Sequence, residues 1–463
     1  MIADQARTIE GLEARIVEQD AEIAELKRRL AMDSTNSSKP PGSDSPFRKP
    51  PPRSQRRASG RKPGAQPGHE GTNLQRVADP DEIVEHRPAT CEGCGITLAP
   101  DAAASGFGWG QVFDLPQPRL LVTEHRMLKV PCACGAVTQA PAPEGVSAPA
   151  QYGPGITALA VYAQVQQHLP SARTITLAAD AFAATLSEGF VNAAVERAAI
   201  RLAPFAQRIT ALLQQAPIAH FDESGIRVAT SLHWVHVACT TALTWYTAHP
   251  KRGKQAMDAA GVLPHFTGTA VTDAFTSYQT YDALTPALCN AHLLRDLDGV
   301  HAADPAGQVW AKAAADALTD ALAACHQARD NGQPALPAEV TATFEKRFDQ
   351  AVKAGRSANP DPPPGQKKPF ARQLADRMTR RRDDFLRFLH DLTVPFTNNQ
   401  AEQDIRMIKI QAKTSGGWRT LTGANRWLLL RSYLSTARKH DLNPLTTLRD
   451  LFNGNPWLPP AHT

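Results

Sequence analysis

The sequence has few cysteines, few aromatic residues and no long apolar run, and each shortage excludes something. Seven cysteines among 463 residues is a small and odd number, which argues against a disulfide framework and suits a reducing compartment. The longest apolar runs are broken by charge, so no membrane span is expected. Asp4, Arg7 and Glu10 stand where a secretory signal would be apolar, so export is not expected and the protein is read as cytoplasmic. Aromatic residues make up only 6% of the chain, yet 42% is hydrophobic, enough for a substantial core divided among about two to four domains.

The net charge of +5 conceals an uneven distribution. Residues 34–78 hold nine Lys or Arg against Asp44 and Glu70, and residues 401–440 hold eight against Glu402 and Asp404. The rest is therefore acidic on balance, and positive charge is gathered where a polyanion, most naturally nucleic acid, would be gripped. Either cluster alone also reads as a solvated tail or helix face.

Residues 1–32 repeat every seven. Ile2, Ile9, Ile16, Ile23 and Leu30 occupy one heptad position, Leu12 and Leu26 the other, and Gln5 and Gln19 fill its remaining sites. Isoleucine at a with leucine at d favours a parallel two-stranded coil, so a coiled-coil zipper and a homodimer or higher oligomer are expected. Residues 33–78 are rich in Pro, Gly and Ser and cannot offset the entropy of folding. This reads as a basic disordered linker whose Arg53, Arg56, Arg57, Arg61 and Lys62 follow a phosphate backbone.

Residues 79–148 carry "CEGCG" at Cys91 and Cys94 and "CACG" at Cys132 and Cys134. Two close pairs, each followed by glycine, are the spacing of a zinc ribbon, because knuckle turns let both thiolates of a pair reach one tetrahedral ion. Four thiolates fill every position, so one structural zinc is expected. Residues 149–215 show apolar positions at three- and four-residue intervals and read as a helical domain without evident chemistry.

The segment 216–299 reads as strands. Asp222 interrupts the first where an aliphatic side chain would suit a buried strand, and alternation points it away from the face of Glu223. After a three-stranded meander and a helix, another strand ends near Asp273. This order is the front half of a ribonuclease H-like fold, where the first and fourth strands lie side by side and bring both aspartates together. Residues 300–395 read as a helical insertion, and residues 396–445 as the second part of the core before a tail at 446–463. On a late helix Glu402 completes the acids, and Arg406, Lys409 and Lys413 follow it on the same face, with Arg419 beyond. The whole is expected to be multidomain α+β.

Several blocks carry a family resemblance: "HFDESGIRV", "VTDAFTSY", "CNAHLLRDL", "VPFTNNQAEQDIRMIKIQAKTSGGWR" and, near the start, "NSSKPPGSD" and "GRKPGAQPGHEG". Together they resemble transposases of the insertion sequence 66 family, bacterial DDE-type enzymes. One departure is visible, since the family commonly has arginine after "AE" where this chain has Gln403. The resemblance implies metal-dependent cleavage and strand transfer at the ends of an insertion sequence, with DNA ends and target DNA as partners, companion proteins of the element as further ones, and nucleoid association when bound. Asp222, Asp273 and Glu402 would be the catalytic acids holding two magnesium ions, hard cations that prefer oxygen. Arg406, Lys409, Lys413 and Arg419 would hold phosphates, while Asn398 and Asn399 would brace the helix start or touch DNA. For Cys289 and His292 in "CNAH" a zinc role would need two more ligands, none of them evident, and helix packing is the readier reading. Two other classes fit parts of this pattern: a non-catalytic DNA-binding derivative and a ribonuclease H-like nuclease.

Overall fold

A computed structural model of the chain describes residues 73–116 and 118–461, with residues 64, 68, 71 and scattered positions between 5 and 26. Ile2, Leu30 and the linker cations Arg53, Arg56, Arg57, Arg61 and Lys62 lie outside the described residues. The other heptad positions, Gln5, Ile9, Leu12, Ile16, Gln19, Ile23 and Leu26, are helical and exposed.

The chain divides into a smaller unit, residues 52–121, and a larger one formed by residues 1–51 and 122–463. In the smaller unit the Gln111 side chain accepts from Val77 N–H at 2.8 Å and donates to Val77 C=O at 2.7 Å, and Arg76 lies over the Trp109 ring at 4.8 Å. A single bridge pairs Thr90 with Thr97 across the turn that holds Cys91 and Cys94.

The larger unit contains a small hairpin, β1 (Lys129–Pro131) with β2 (Val137–Gln139), around Cys132 and Cys134. Helix α1 (Pro154–Val161) opens on proline, continues as a π-turn at Tyr162–Gln166, and is followed by α2 (Ser171–Phe182), α3 (Glu188–Arg201) and α4 (Ala203–Gln214). Ser187 caps α3 by accepting from Phe190 N–H at 3.1 Å.

A five-stranded mixed sheet follows: β3 (Ile218–Val228), β4 (Ser231–Cys239), β5 (Thr244–His249), β6 (Thr269–Thr272) and β7 (Thr285–Leu288), in the order β5-β4-β3-β6-β7. The first three form an antiparallel meander, while β6 and β7 run parallel to β3. Ala229 and Thr230 turn between β3 and β4 with φ of 47° and 68°, the left-handed pair that matches strand twist in a two-residue hairpin. Helix α5 (Lys254–Ala259) crosses from β5 towards β6.

Five helices come next: α6 (Asn290–Ala303), α7 (Val309–Asp330), α8 (Ala338–Ala358), α9 (Phe370–Arg380) and α10 (Arg382–His390). They share their own hydrophobic core, with Leu297, Trp310, Leu318, Phe348, Leu374 and Met378 at its centre. Gly355 is required there, since a Cβ would come within 2.6 Å of the Trp310 ring. The core already includes Leu288 and Leu293, so its packing starts before residue 300.

The chain then returns to the sheet with α11 (Asn399–Ser415), α12 (Leu421–Lys439) and α13 (Pro444–Phe452). Helix α11 packs on β3, and the main core runs from Ala158 and Leu202 through Tyr246 and Ile405 to Leu451, uniting the helices at 154–214 with the sheet. Edge strand β5 has backbone N–H groups that point away from β4, and α12 satisfies them with side chains. Thr436 Oγ1 accepts from Thr244 N–H at 3.1 Å, Ser432 Oγ from Tyr246 N–H at 2.9 Å, and Asn425 Oδ1 from Ala248 N–H at 2.8 Å. Alternate strand positions thus meet one polar stripe of a helix, and the edge is closed to further pairing. Among the described residues no helix is long and apolar enough to cross a membrane.

Candidate active site

Asp222 lies within β3 and Asp273 directly follows β6. The parallel register sets His220 opposite Val271, so two residues further on Asp222 comes level with Asp273. Equivalent positions on neighbouring parallel strands share a face of the sheet. Asp222 accepts Glu223 N–H at 2.8 Å, and Asp273 accepts Phe275 N–H at 2.9 Å in a turn that fixes its orientation. Glu402 enters from the first turn of α11. Burial, followed by the charges of Glu223, Asp273 and Glu402, pushes the Asp222 carboxyl up to about 8, against the Glu223 N–H. Burial raises Asp273 as well, opposed by the Phe275 N–H and by Arg252 and Arg377.

Three carboxylates from three elements supply oxygen donors of the kind hard divalent ions prefer, and the charges of Asp273 and Glu402 bear on Asp222, yet the three are not drawn within 4.8 Å of one another, and Arg252 and Arg377 bear on Asp273. Glu402 Oε1 is buried without a hydrogen-bond partner. Arg295 Nη2 lies 3.6 Å from it, and Nε2 of the His292 imidazole, pushed down to about 4 by burial and then by Arg295 and Arg377, lies at 3.8 Å.

Asn398 is 1% exposed, so of the two roles offered by sequence its contacts match bracing and leave nothing for DNA. Its side-chain amide donates to Phe221 C=O at 2.7 Å, its Oδ1 meets His220 Nδ1 at 2.9 Å, and its backbone N–H donates to Cys289 Sγ at 3.1 Å. The start of α11 is thereby pinned to β3 beside Asp222. It does not cap the helix with its side chain. Asn399, Arg406, Lys409, Lys413 and Arg419 are exposed. Asp404, two residues from Glu402, is occupied elsewhere: it pairs with Lys439 Nζ at 2.7 Å and accepts from the Thr244 hydroxyl at 3.1 Å. The segment after α11 joins the end of β3, where Trp418 N–H donates to Arg227 C=O at 3.0 Å and Ala229 N–H to Trp418 C=O at 2.8 Å. Gly417 permits this approach, because a Cβ would meet the Arg227 oxygen at 2.6 Å.

Sequence reasoning missed two groups. Beside Cys289 and His292 stands Glu402, a third ligand that the sequence reading did not supply: one ligand atom from each of the three lies within 4.8 Å of the others. The signal was Glu402 itself, which the chain brings back only after the five intervening helices. The second group is on the opposite face of β3, where Glu223 is buried in an ion pair with Arg252 at 2.8 Å and accepts the Tyr278 hydroxyl at 2.7 Å. Arg252 in turn lies 4.1 Å from the Phe275 ring centre and 4.8 Å from that of Trp234, which ties the loop after β5 to the loop carrying Asp273.

Each cysteine pair forms its own tight turn. Gly95 and Gly135 take φ of 74° and 85°, Gly95 N–H donates to Cys91 C=O at 2.8 Å, and Gly135 N–H to Cys132 C=O at 2.9 Å. Backbone N–H groups of Cys94 and Gly93 hold the Cys91 thiol below its ordinary pKa, and the backbone and side chain of Cys94's counterpart Cys134 do the same for Cys132. Sulfurs that accept backbone N–H groups inside a turn suit thiolate ligation. Cys91 and Cys94 belong to the smaller unit and Cys132 and Cys134 to the larger.

Residues 149–426, more than half of the chain, match the Transposase IS66 family, a class of enzymes acting on DNA. The chain belongs to the IS66 family of transposases. Residues 2–75 match a family of unknown function. No curated protein matches the chain.

Proposed function

We propose that this protein is a DDE-type transposase with a ribonuclease H-like catalytic core, which cleaves the ends of its insertion sequence and joins them to target DNA. What supports this reading is that Asp222 and Asp273 stand level on adjacent parallel strands, with Glu402 on the helix packed on β3 near enough for its charge, like that of Asp273, to bear on Asp222. Asp222, Asp273 and Glu402 would hold two magnesium ions, which when bound activate the attacking oxygen and stabilise the leaving one in an in-line displacement at phosphorus. The protein's own part is positioning. β3 and β6 fix the two aspartates, the Asn398 bracket sets Glu402 against them, and the exposed Arg406, Lys409, Lys413 and Arg419 draw the DNA backbone to that face.

The other parts of the reading follow the same division of labour. The turns at Cys91–Cys94 and Cys132–Cys134 would share one structural zinc, and the basic linker would add phosphate contacts. The half-exposed Ile9, Leu12, Ile16, Ile23 and Leu26 would pair two chains as a zipper, since two element ends must be handled together. A monomeric mass in sedimentation would refute that pairing.

The test is an assay of paired-end DNA with magnesium. Wild type is expected to nick the ends and join them to target, and Asp222→Asn to do neither while still binding. A wild type that binds without cutting is a non-catalytic derivative, and one that nicks without joining is a nuclease.

A further inference from the structure

We infer that Cys289, His292 and Glu402 form a binding site for a single borderline-soft divalent ion of the zinc class, separate from the hard-ion chemistry of the aspartates. Cys289 is the N-cap residue of α6 and His292 lies in its first turn, so a three-residue step sets thiol and imidazole side by side. Asn398 N–H donates to the sulfur, and α11 delivers Glu402 from across the site. The three ligand atoms lie within 4.8 Å of one another, and this is the one such group of three among the described residues. Glu402 Oε1, 3.8 Å from His292 Nε2, is a buried atom without a hydrogen-bond partner, and so is Nδ1 of the same imidazole.

The donor types choose the ion. Sulfur and imidazole suit zinc and its neighbours and are poor ligands for magnesium. A thiolate and a carboxylate would supply two negative charges around a divalent ion, whose binding displaces the proton that burial otherwise keeps on the thiol. Three protein ligands leave a fourth position open, as in zinc sites that exchange water or substrate. Arg295 Nη2, 3.6 Å from Glu402 Oε1, is the cation such an ion would replace. A carboxylate has two oxygens, so ligation here through one leaves the other for the aspartates' side. The inference goes beyond the transposase reading and does not depend on it, because it concerns metal content and not cleavage.

Elemental analysis of the full-length protein, loaded with zinc and dialysed, tests it. His292→Ala and Cys289→Ser should each bind one zinc per chain fewer than wild type, with unchanged circular dichroism. That difference should persist when Cys91, Cys94, Cys132 and Cys134 are all replaced by serine, which removes any contribution from the cysteine turns. In the same background cobalt should give a thiolate charge-transfer band that Cys289→Ser abolishes and Asp222→Asn leaves intact. Equal metal content in wild type and both variants, or a cobalt spectrum indifferent to Cys289, would overturn the site. Loss of cleavage in Asp222→Asn with the band retained would separate this site from the catalytic reading.

Discussion

In the larger unit Phe205, Tyr246, Leu293 and Leu297 are fully buried, whereas in the smaller one Leu74, Phe107, Val112 and Leu115 are each more than 80% exposed. The larger unit has two large hydrophobic cores beside two small clusters, and their large buried side chains are worth about 1.5–3 kcal/mol apiece. The smaller has local turns and a few side-chain hydrogen bonds, and units of that size and composition rely on a metal or a partner for their stability. The comparison separates two ways of holding a reactive group. Asp222, Asp273 and Glu402 are positioned by tertiary packing, and Cys91 with Cys94 by a turn that residues 91–96 make for themselves.

The sharpest way to break that comparison is at Glu402. Glutamine there keeps the volume and removes the charge, so metal-dependent cleavage should fall by orders of magnitude while DNA binding survives. Asp404→Asn is the control, because Asp404 is engaged with Lys439 and Thr244: it should lower stability and leave the chemistry near wild type. Cleavage by Glu402→Gln at the wild-type rate would remove this acid from the site.

Next in size is the smaller unit. If its order depends on zinc, Cys91→Ser with Cys94→Ser should remove one zinc per chain and make residues 73–121 sensitive to protease, since structural zinc contributes folding energy directly. The larger unit should melt unchanged. Protease resistance equal to wild type would mean that the turn stands without metal.

What was legible in the sequence follows the same division. The cysteine turns could be read from spacing alone, because a knuckle is local. Asp222 and Asp273 stood out as acids in otherwise apolar strands, and the strand order that brings β3 beside β6 was expected from the run of elements. Other features depend on residues far apart in the chain. Asn398 looked like a helix-start or DNA contact until its amide was found spent on Phe221 and His220. Nothing local in the sequence marks Asn425, Ser432 and Thr436 as the polar stripe that covers a strand edge. Cys289 and His292 lacked a partner until α11 returned to the sheet.

Asn398 provides the third and smaller test. Asn398→Ala deletes both side-chain bonds and leaves the Phe221 carbonyl and a His220 nitrogen buried without partners, so it should destabilise the larger unit by about 3 kcal/mol. Asn399→Ala, at an exposed position, should be neutral for stability within about 0.5 kcal/mol. Equal denaturation midpoints for the two variants would contradict the bracket.

The smallest effect is expected at the covered sheet edge, and it probes whether the larger unit is held by polar as well as apolar packing. Ser432 Oγ accepts Tyr246 N–H and donates to Leu428 C=O at 2.9 Å, so Ser432→Ala strands one buried strand N–H while the helix carbonyl keeps its backbone bond. The expected loss is about 1 kcal/mol, the cost of one unsatisfied buried donor. Thr436→Ala should behave alike, because its hydroxyl serves Thr244 N–H at 3.1 Å. The two bonds serve alternate residues of β5 and share no atom, so the double variant should lose close to the sum. Hydrogen exchange locates the effect: the amides of Thr244 and Tyr246 should exchange faster in the respective variants, while amides of β3 keep their protection. If exchange at Thr244 and Tyr246 is unchanged, the edge is protected by something other than the α12 hydroxyls, and the polar stripe loses its explanation.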